Sequence, residues 1–192
     1  MSLFKKLGDN IKKDIYYDRL PLINEFCEHL RQIGVNASVL EFGSPLSLAD
    51  SSGGTGYVKL EGRNIDLADS FYGSVSGKSR SYHSEYYVRG NVEGLENRLK
   101  AEGKPVKKSF FSSETVDYKW NGEDLAQKLN ADSELKSMLI KEELGGISIG
   151  SSFNHQYVWI QGEKHRDKAF PTHEAFEAYD KIAHHIRSIV NS

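Results

Sequence analysis

Hydrophobic positions near the N-terminus recur at helical spacing, every four residues from Leu3 to Ile15, with lysines between them. A second helical pattern begins at Pro21, a residue that favours the first turn of a helix, and ends at Gly34. Both segments are therefore predicted to be helices with one apolar side.

Short apolar or alternating runs in the centre of the chain predict strands. The expected strands are Val39–Phe42, Tyr57–Leu60, Ile65–Phe71, Ser81–Val88, Val106–Phe111, Thr115–Trp120, Ile147–Gly150 and Gln156–Gln161. Between them the pattern predicts a short helix at Val92–Glu102 and a helical stretch at Leu125–Leu144, in which Asp132 can cap a second segment. Thr172 precedes the clearest periodic run, so it is the expected N-cap of a final helix that reaches about Val190.

The order of these elements predicts the fold class. Strands joined by short loops, with helices inserted between strand pairs, indicate an antiparallel sheet in an α+β fold, with the helices packed mainly on one face. A chain of 192 residues has the length of one domain. It divides at most into two lobes: residues 1–103, with a helical start and a strand-rich part, and residues 104–192, with a strand pair, a helix, a second strand pair and a helix. The Gly- and Ser-rich segment Ser44–Gly56 is predicted to be a loop.

The C-terminal half, from Lys107 to Val190, resembles uncharacterised prokaryotic domains of unknown function. The shared pattern is a strand pair, a helix at Leu125–Leu144, a second strand pair and a terminal helix at Phe176–Val190. The resemblance implies a domain of this general type and assigns no site residue.

One segment has the composition of a phosphate-binding loop, Gly73 to Ser79 with Lys78 before its end. Such a loop needs four residues between its glycines, and only three separate Gly73 from Gly77. It must also open a helix, whereas Ser81–Val88 has the alternation of a strand. The segment is therefore interpreted as a hairpin turn, and no nucleotide is expected as a partner.

Charge and cysteine content narrow the function classes. A net charge of −2 provides no general attraction to nucleic acid. The single cysteine, Cys27, lies among apolar helix positions and is interpreted as a core residue. Because the N-terminus lacks the apolar core of a secretory signal, we expect a cytoplasmic protein, and no motif requires a cofactor.

The strongest catalytic candidates lie on one predicted strand. His83, Glu85 and Arg89 share a strand face with Tyr87, and together they could form a polar pocket with a general base. The competing interpretation is a solvated sheet face with cross-strand pairs.

The final helix carries a candidate metal site. His173, Glu177, Asp180 and His184 fall within one stripe of the helix, and imidazole and carboxylate both suit zinc. The apolar residues lie on another side, so the stripe is expected to face solvent, with Asp180 and His184 as a surface pair. No metal is therefore assigned.

Two further surfaces are candidates for partners. Lys104, Lys107 and Lys108 precede Phe110 and Phe111, a mixture that can bind single-stranded nucleic acid, although its excess of charge is small. The first helix presents the apolar stripe Leu3, Phe4, Leu7, Ile11 and Ile15, flanked by four lysines. This stripe could dock on its own domain, on a protein partner or second copy, or on an anionic membrane surface.

Because none of these motifs is complete enough to indicate catalysis, the sequence favours a binding or interaction module without catalytic activity. One alternative is an enzyme whose site forms around His83, Glu85 and Arg89. A second is a peripheral membrane protein that attaches through the first helix.

Overall fold

A computed structural model gives the structure of the protein and describes residues 19–41, 57–75, 79–109, 112–152, 154–162 and 169–192. The helices are α1 (residues 19–32), α2 (Glu96–Leu99), α3 (Asp124–Ala131), α4 (Ser133–Lys141) and α5 (His173–Val190). The strands are β1 (Ala37–Val39), β2 (Val58–Leu60), β3 (Leu67–Val75), β4 (Ser79–Arg89), β5 (Ala101–Lys107), β6 (Thr115–Gly122), β7 (Ile147–Ser151) and β8 (Tyr157–Gln161).

These eight strands form one sheet in the order β1-β2-β3-β4-β8-β7-β5-β6, and every neighbouring pair is antiparallel. The predicted α+β fold with an antiparallel sheet is confirmed. The pairing of β4 with β8 joins the first four strands to the last four. One continuous sheet therefore crosses the expected division at residues 103 and 104, which falls inside β5.

The helices pack on one face of the sheet, which we call the helix-covered face. Buried side chains from α1, α3, α4 and α5 share one hydrophobic cluster with strand residues such as Tyr86 and Val88. Cys27 belongs to this cluster and is buried, so its interpretation as a core residue is confirmed. Burial also raises the pKa of its thiol.

Local signals located several element ends correctly. The Thr172 side chain accepts a hydrogen bond from the Ala175 backbone N–H, and Asp132 accepts one from Leu135, so both predicted caps are confirmed. The register of β3 and β4 continues to the pair Val75 and Ser79, which confirms the hairpin. Residues 76–78 lie outside the described residues.

The predicted helix Val92–Glu102 is wrong at its end, because α2 stops at Leu99 and β5 starts at Ala101. Gly103 and Pro105 are weak strand formers, so the sequence pattern placed this strand too late, at Val106–Phe111. Hydrogen-bonded pairing stabilises the strand conformation of β5, because β5 lies between β6 and β7 in the sheet. Gly103 also provides room for two rings, since a Cβ there would lie 2.6 Å from Tyr118 and 2.8 Å from Trp120.

Candidate functional site: a polar cluster and a cavity on either side of β4

Polar residues form a continuous row across the sheet face opposite the helices, which we call the back face. The register places Asp69 opposite Glu85, Glu85 opposite Gln161, and Gln161 opposite Ser148. Side chains directly opposite one another in antiparallel strands lie close enough to interact. The first three residues of this row, with His83 and Tyr87, form what we call the polar cluster.

Glu85 is the centre of the polar cluster. Its carboxylate accepts a hydrogen bond from the Tyr87 hydroxyl at 2.5 Å and another from the Gln161 amide. His83 Nε2 lies 3.7 Å from the same carboxylate. Burial by itself would raise the pKa of Glu85, but the nearby His83 imidazole and the hydrogen bond from Tyr87 together outweigh burial and lower that pKa.

The pKa of Asp69 is displaced in the opposite direction. Its residue is only 2% exposed, and its carboxylate accepts a hydrogen bond from the Arg19 guanidinium at 2.6 Å. Burial raises the pKa of Asp69, although Arg19 opposes the rise. Two carboxyl groups on neighbouring strands therefore have pKa values displaced in opposite directions.

The solvated face expected at His83 and Tyr87 is wrong, because these residues are 5% and 4% exposed. The reason is a second hydrophobic cluster on the back face, formed by Leu40, Tyr57, Leu67, Tyr87 and Tyr157. Tyr87 packs edge-on against Tyr57 and Tyr157 at centroid distances of 5.5 and 5.4 Å. Strand alternation at β4 therefore separates two buried surfaces.

Arg89 does not join the polar cluster. It lies four residues beyond Glu85, about 13 Å along the strand, with Tyr87 between them on the same face. Arg89 instead lines an open cleft of about 670 Å³ together with His155 and Glu93. The structure thus brings His83 and Glu85 together and places the third candidate elsewhere.

On the helix-covered side of β4, a cavity of about 190 Å³ lies where α5 begins. The described residues that line it are His83, Ser84, Tyr86, Glu142, Leu144, Gly162, Ala169, Phe170, Pro171, Thr172, Ala175 and Tyr179. Aromatic rings and aliphatic groups form most of this wall, and a few hydroxyl groups and one carboxylate interrupt it. Such a composition is typical of small-molecule sites.

Two tyrosines define the chemistry of this cavity. The rings of Tyr86 and Tyr179 lie 4.5 Å apart between centroids, with an interplanar angle of 33°. Burial raises the pKa of the Tyr86 hydroxyl well above its usual value, so the group stays protonated. Ser84 partly opposes this rise in the pKa of Tyr86. Its hydroxyl does not reach hydrogen-bonding geometry with the Tyr86 hydroxyl, and no described group accepts a hydrogen bond from Tyr86.

The final helix does not present its candidate metal residues as a single exposed stripe. Asp180 is 8% exposed and accepts hydrogen bonds from the backbone N–H groups of Asn64 and Ile65. The expected surface pair of Asp180 with His184 is therefore wrong, because the turn between β2 and β3 covers this side of α5. Asp180 anchors that turn.

The other members of the stripe have structural contacts of their own. Glu177 pairs with Arg63 at 2.7 Å, while His173 lies 3.9 Å from Glu177. Within the described ranges, no group of three or more His, Cys, Asp or Glu residues is arranged to hold a metal ion.

The two candidate partner surfaces are only partly described. Lys108 pairs with Glu114 at 3.0 Å, and Lys104 lies 3.9 Å from Glu102, while Phe110 and Phe111 lie outside the described residues. The apolar stripe of the first helix also lies outside them, so its docking remains a prediction; its residues are Leu3, Phe4, Leu7, Ile11 and Ile15.

One strand edge is blocked against pairing with a second copy. Trp120 in β6 donates its backbone N–H to the Asn130 side chain at 3.0 Å and accepts a hydrogen bond from the same amide at 2.8 Å. An asparagine from α3 thus occupies backbone groups that another strand would need.

Sequence reasoning placed His83, Glu85 and Tyr87 together but missed the cavity and the other two members of the polar cluster. Asp69 had one visible signal, since it interrupts an apolar strand face. Arg19 and Gln161 had none, because their roles depend on strand and helix neighbours that are distant in the chain. Alternation along β4 places Tyr86 on the face opposite Glu85, but its contact with Tyr179 depends on the packing of α5.

Comparison with known proteins yields no relative: no protein-family model, no curated protein and no solved structure matches this chain. The resemblance to uncharacterised prokaryotic domains therefore remains a prediction. Among the helices that the structure describes, none is both long enough and apolar enough to span a bilayer.

Proposed function

We propose that this protein is a binding module that holds a small molecule in the cavity between β4 and the beginning of α5. The observation that carries the proposal is the cavity itself, about 190 Å³ lined by aromatic rings and a few convergent polar groups. Ligand sites combine an apolar wall with a small number of polar groups that orient the ligand. This interpretation refines the binding or interaction function expected from the sequence.

The surroundings of the cavity support binding. Thr172 caps α5 and also donates its hydroxyl to the Glu142 carboxylate at 2.6 Å, which joins α4 to α5 at the cavity wall. On the other side, Gly162 allows close approach of Tyr179, whose hydroxyl would lie 2.4 Å from a Cβ at that position. The wall is thus built from elements held to one another, which reduces the cost of ordering on binding.

A thermal-shift screen of small fragments tests the proposal. Ligands that bind the folded state raise the melting temperature, with about 2.7 kcal/mol of stabilisation at a hundredfold excess over Kd. We expect several fragments to stabilise the wild type. Ser84→Leu, which fills the cavity, should abolish these shifts. Ser148→Leu is the matched control, because Ser148 is a half-buried strand serine outside the cavity.

A second variant protects the test against misfolding. Ala169 is exposed at the edge of the cavity, so Ala169→Phe should obstruct entry without disturbing the core. Fragments that stabilise the wild type and both cavity variants equally would contradict the proposal, as would a screen in which no fragment stabilises the wild type.

A specific observation favours a second candidate, an enzyme that uses the polar cluster. Acid and base pairs in active sites often have pKa values displaced apart, as those of Asp69 and Glu85 are. His83 lies beside Glu85 on the back face, so the polar cluster combines an imidazole with these two carboxyl groups. Substrate turnover that disappears in a folded His83→Ala variant would establish this alternative.

A further inference from the structure

We infer that the cavity selects small uncharged molecules with an apolar body and one hydrogen-bond acceptor, which the Tyr86 hydroxyl binds. Carboxamides, ketones and neutral aromatic heterocycles belong to this class. The inference rests on the proposed function and identifies the chemistry of its ligand.

Tyr86 provides the hydrogen-bond donor of the cavity. Tyr86 is 1% exposed and lines the cavity, yet its hydroxyl donates to no described group. A buried hydroxyl is costly when it has no hydrogen-bond partner. A ligand acceptor placed in the cavity supplies one, and because burial keeps the phenol protonated, the group acts as a donor at neutral pH.

The charge of the cavity wall disfavours ionic ligands. Among the described lining residues the fixed charge is the carboxylate of Glu142, which would repel an anionic ligand. The positive N-terminal end of α5 does not change this balance, because Glu142 already contacts the N-cap Thr172 there. A cationic ligand, in turn, would make no use of the Tyr86 donor.

The volume of the cavity sets the size of the ligand. A cavity of about 150 Å³ is known to hold benzene, and this one measures about 190 Å³. It therefore accommodates a single substituted ring, and the rings of Tyr86, Tyr179 and Phe170 provide aromatic contacts. Sites for drug-sized ligands begin at about 300 Å³, so the enclosed part of this cavity suits a smaller ligand.

Four probes of similar shape test the inference by ligand-observed NMR titration: benzamide, benzoate, benzylamine as its ammonium, and toluene. We expect benzamide to bind the wild type at least about tenfold more tightly than benzoate or benzylammonium. Tyr86→Phe should weaken benzamide binding by roughly 3- to 10-fold, the effect of one hydrogen bond. Toluene binding should not change, because toluene has no acceptor.

Tyr118→Phe is the matched control, since its hydroxyl donates to the Gly145 carbonyl at 2.7 Å outside the cavity. It should lower the melting temperature and leave benzamide binding unchanged. Tyr86→Phe should do the reverse, because no protein hydrogen bond is lost. This contrast separates a ligand-binding hydroxyl from a merely structural one.

The possible results distinguish an error in the ligand class from an error in the proposed function. If toluene and benzamide bind equally, or if Tyr86→Phe leaves benzamide binding intact, the acceptor class is wrong while the cavity remains a binding site. Preferential binding of benzoate or benzylammonium would overturn the class in the same way. If none of the four probes binds the wild type at millimolar concentration, both the inference and the proposed function are wrong.

Discussion

The two faces of β4 are both buried, but they are stabilised by different interactions. Tyr86 and Val88 point to the helix-covered face, where they belong to one hydrophobic cluster with buried side chains of the helices. Glu85 and Tyr87 point to the back face, where a hydrogen-bonded polar cluster lies beside aromatic rings. Alternation along a strand is usually read as inside against outside. In β4 the alternation instead separates two buried faces, one of which is apolar while the other contains paired charges.

The same back face is solvated at its other end. The row of opposing residues that begins at Asp69 and Glu85 continues to Glu102 and Asn121, which are exposed. The burial of a polar residue in this row therefore depends on its position in the sheet. What differs is the neighbourhood: the second hydrophobic cluster covers the β3, β4 and β8 end, and no described cluster covers the β5 and β6 end.

The largest expected effect comes from placing a charge in the apolar interior. Ile182 is fully buried in α5, so Ile182→Asp should reduce the free energy of unfolding by about 4 kcal/mol or more. Urea denaturation measures the change. His184→Asp is the control on the same helix, and because His184 is exposed, it should stay within about 0.5 kcal/mol. Equal stability of the Ile182 variant and wild type would refute the assigned packing of α5.

Removing a cation from the polar interior should have the next largest effect. Arg19 and Asp69 form a buried pair, with side chains 14% and 3% exposed. Arg19→Leu leaves Asp69 without its partner and should cost about 3 kcal/mol. Lys119→Leu, at an exposed back-face position in β6, should be nearly neutral. If both variants cost the same in denaturant titrations, the distinction between the two ends of the back face fails.

A smaller effect tests the packing of the back face. A Cβ at Gly150 would lie 2.4 Å from a ring atom of Trp159, so Gly150→Ala should cost about 1–3 kcal/mol. At Gly146 the nearest atom is 3.8 Å away, so Gly146→Ala should be neutral or slightly stabilising. Thermal melting of the two variants provides the measurement, and a tolerated Gly150→Ala would place Trp159 elsewhere.

The smallest effect is a difference in pH dependence between the two carboxyl groups. The pKa of Glu85 is lowered from 4.5, so its ionised form stabilises the fold above about that pH and the contribution is lost as the pH falls. The pKa of Asp69 is raised from 3.8, so its contribution is complete below that value and is lost as the pH rises through the folded-state pKa.

Glu85→Gln and Asp69→Asn should therefore show opposite slopes when their stability is compared with that of wild type between pH 3 and pH 7. As the pH falls, the wild type should lose its advantage over Glu85→Gln and gain relative to Asp69→Asn. Urea titrations at several pH values measure both slopes. Slopes of the same sign would mean that the two carboxyl groups share one environment.

Much of the fold was predictable because its signals are local. Thr172 and Asp132 are caps that depend on residues three positions away, and both were confirmed. The hairpin of β3 and β4 followed from strand patterns on either side of a short turn. The strand β5 was placed incorrectly because Gly103 and Pro105 oppose its formation locally, and pairing with β6 and β7 overrides them.

For the candidate site, the sequence by itself determined which residues share a strand face, because alternation places His83, Glu85 and Tyr87 together in any strand. Only the tertiary structure decided that this face is buried, that Arg19 pairs with Asp69, and that Tyr86 meets Tyr179. Burial and pairing depend on elements brought together from distant parts of the chain. Periodicity reports spacing within one element, so it carries no information about what covers that element.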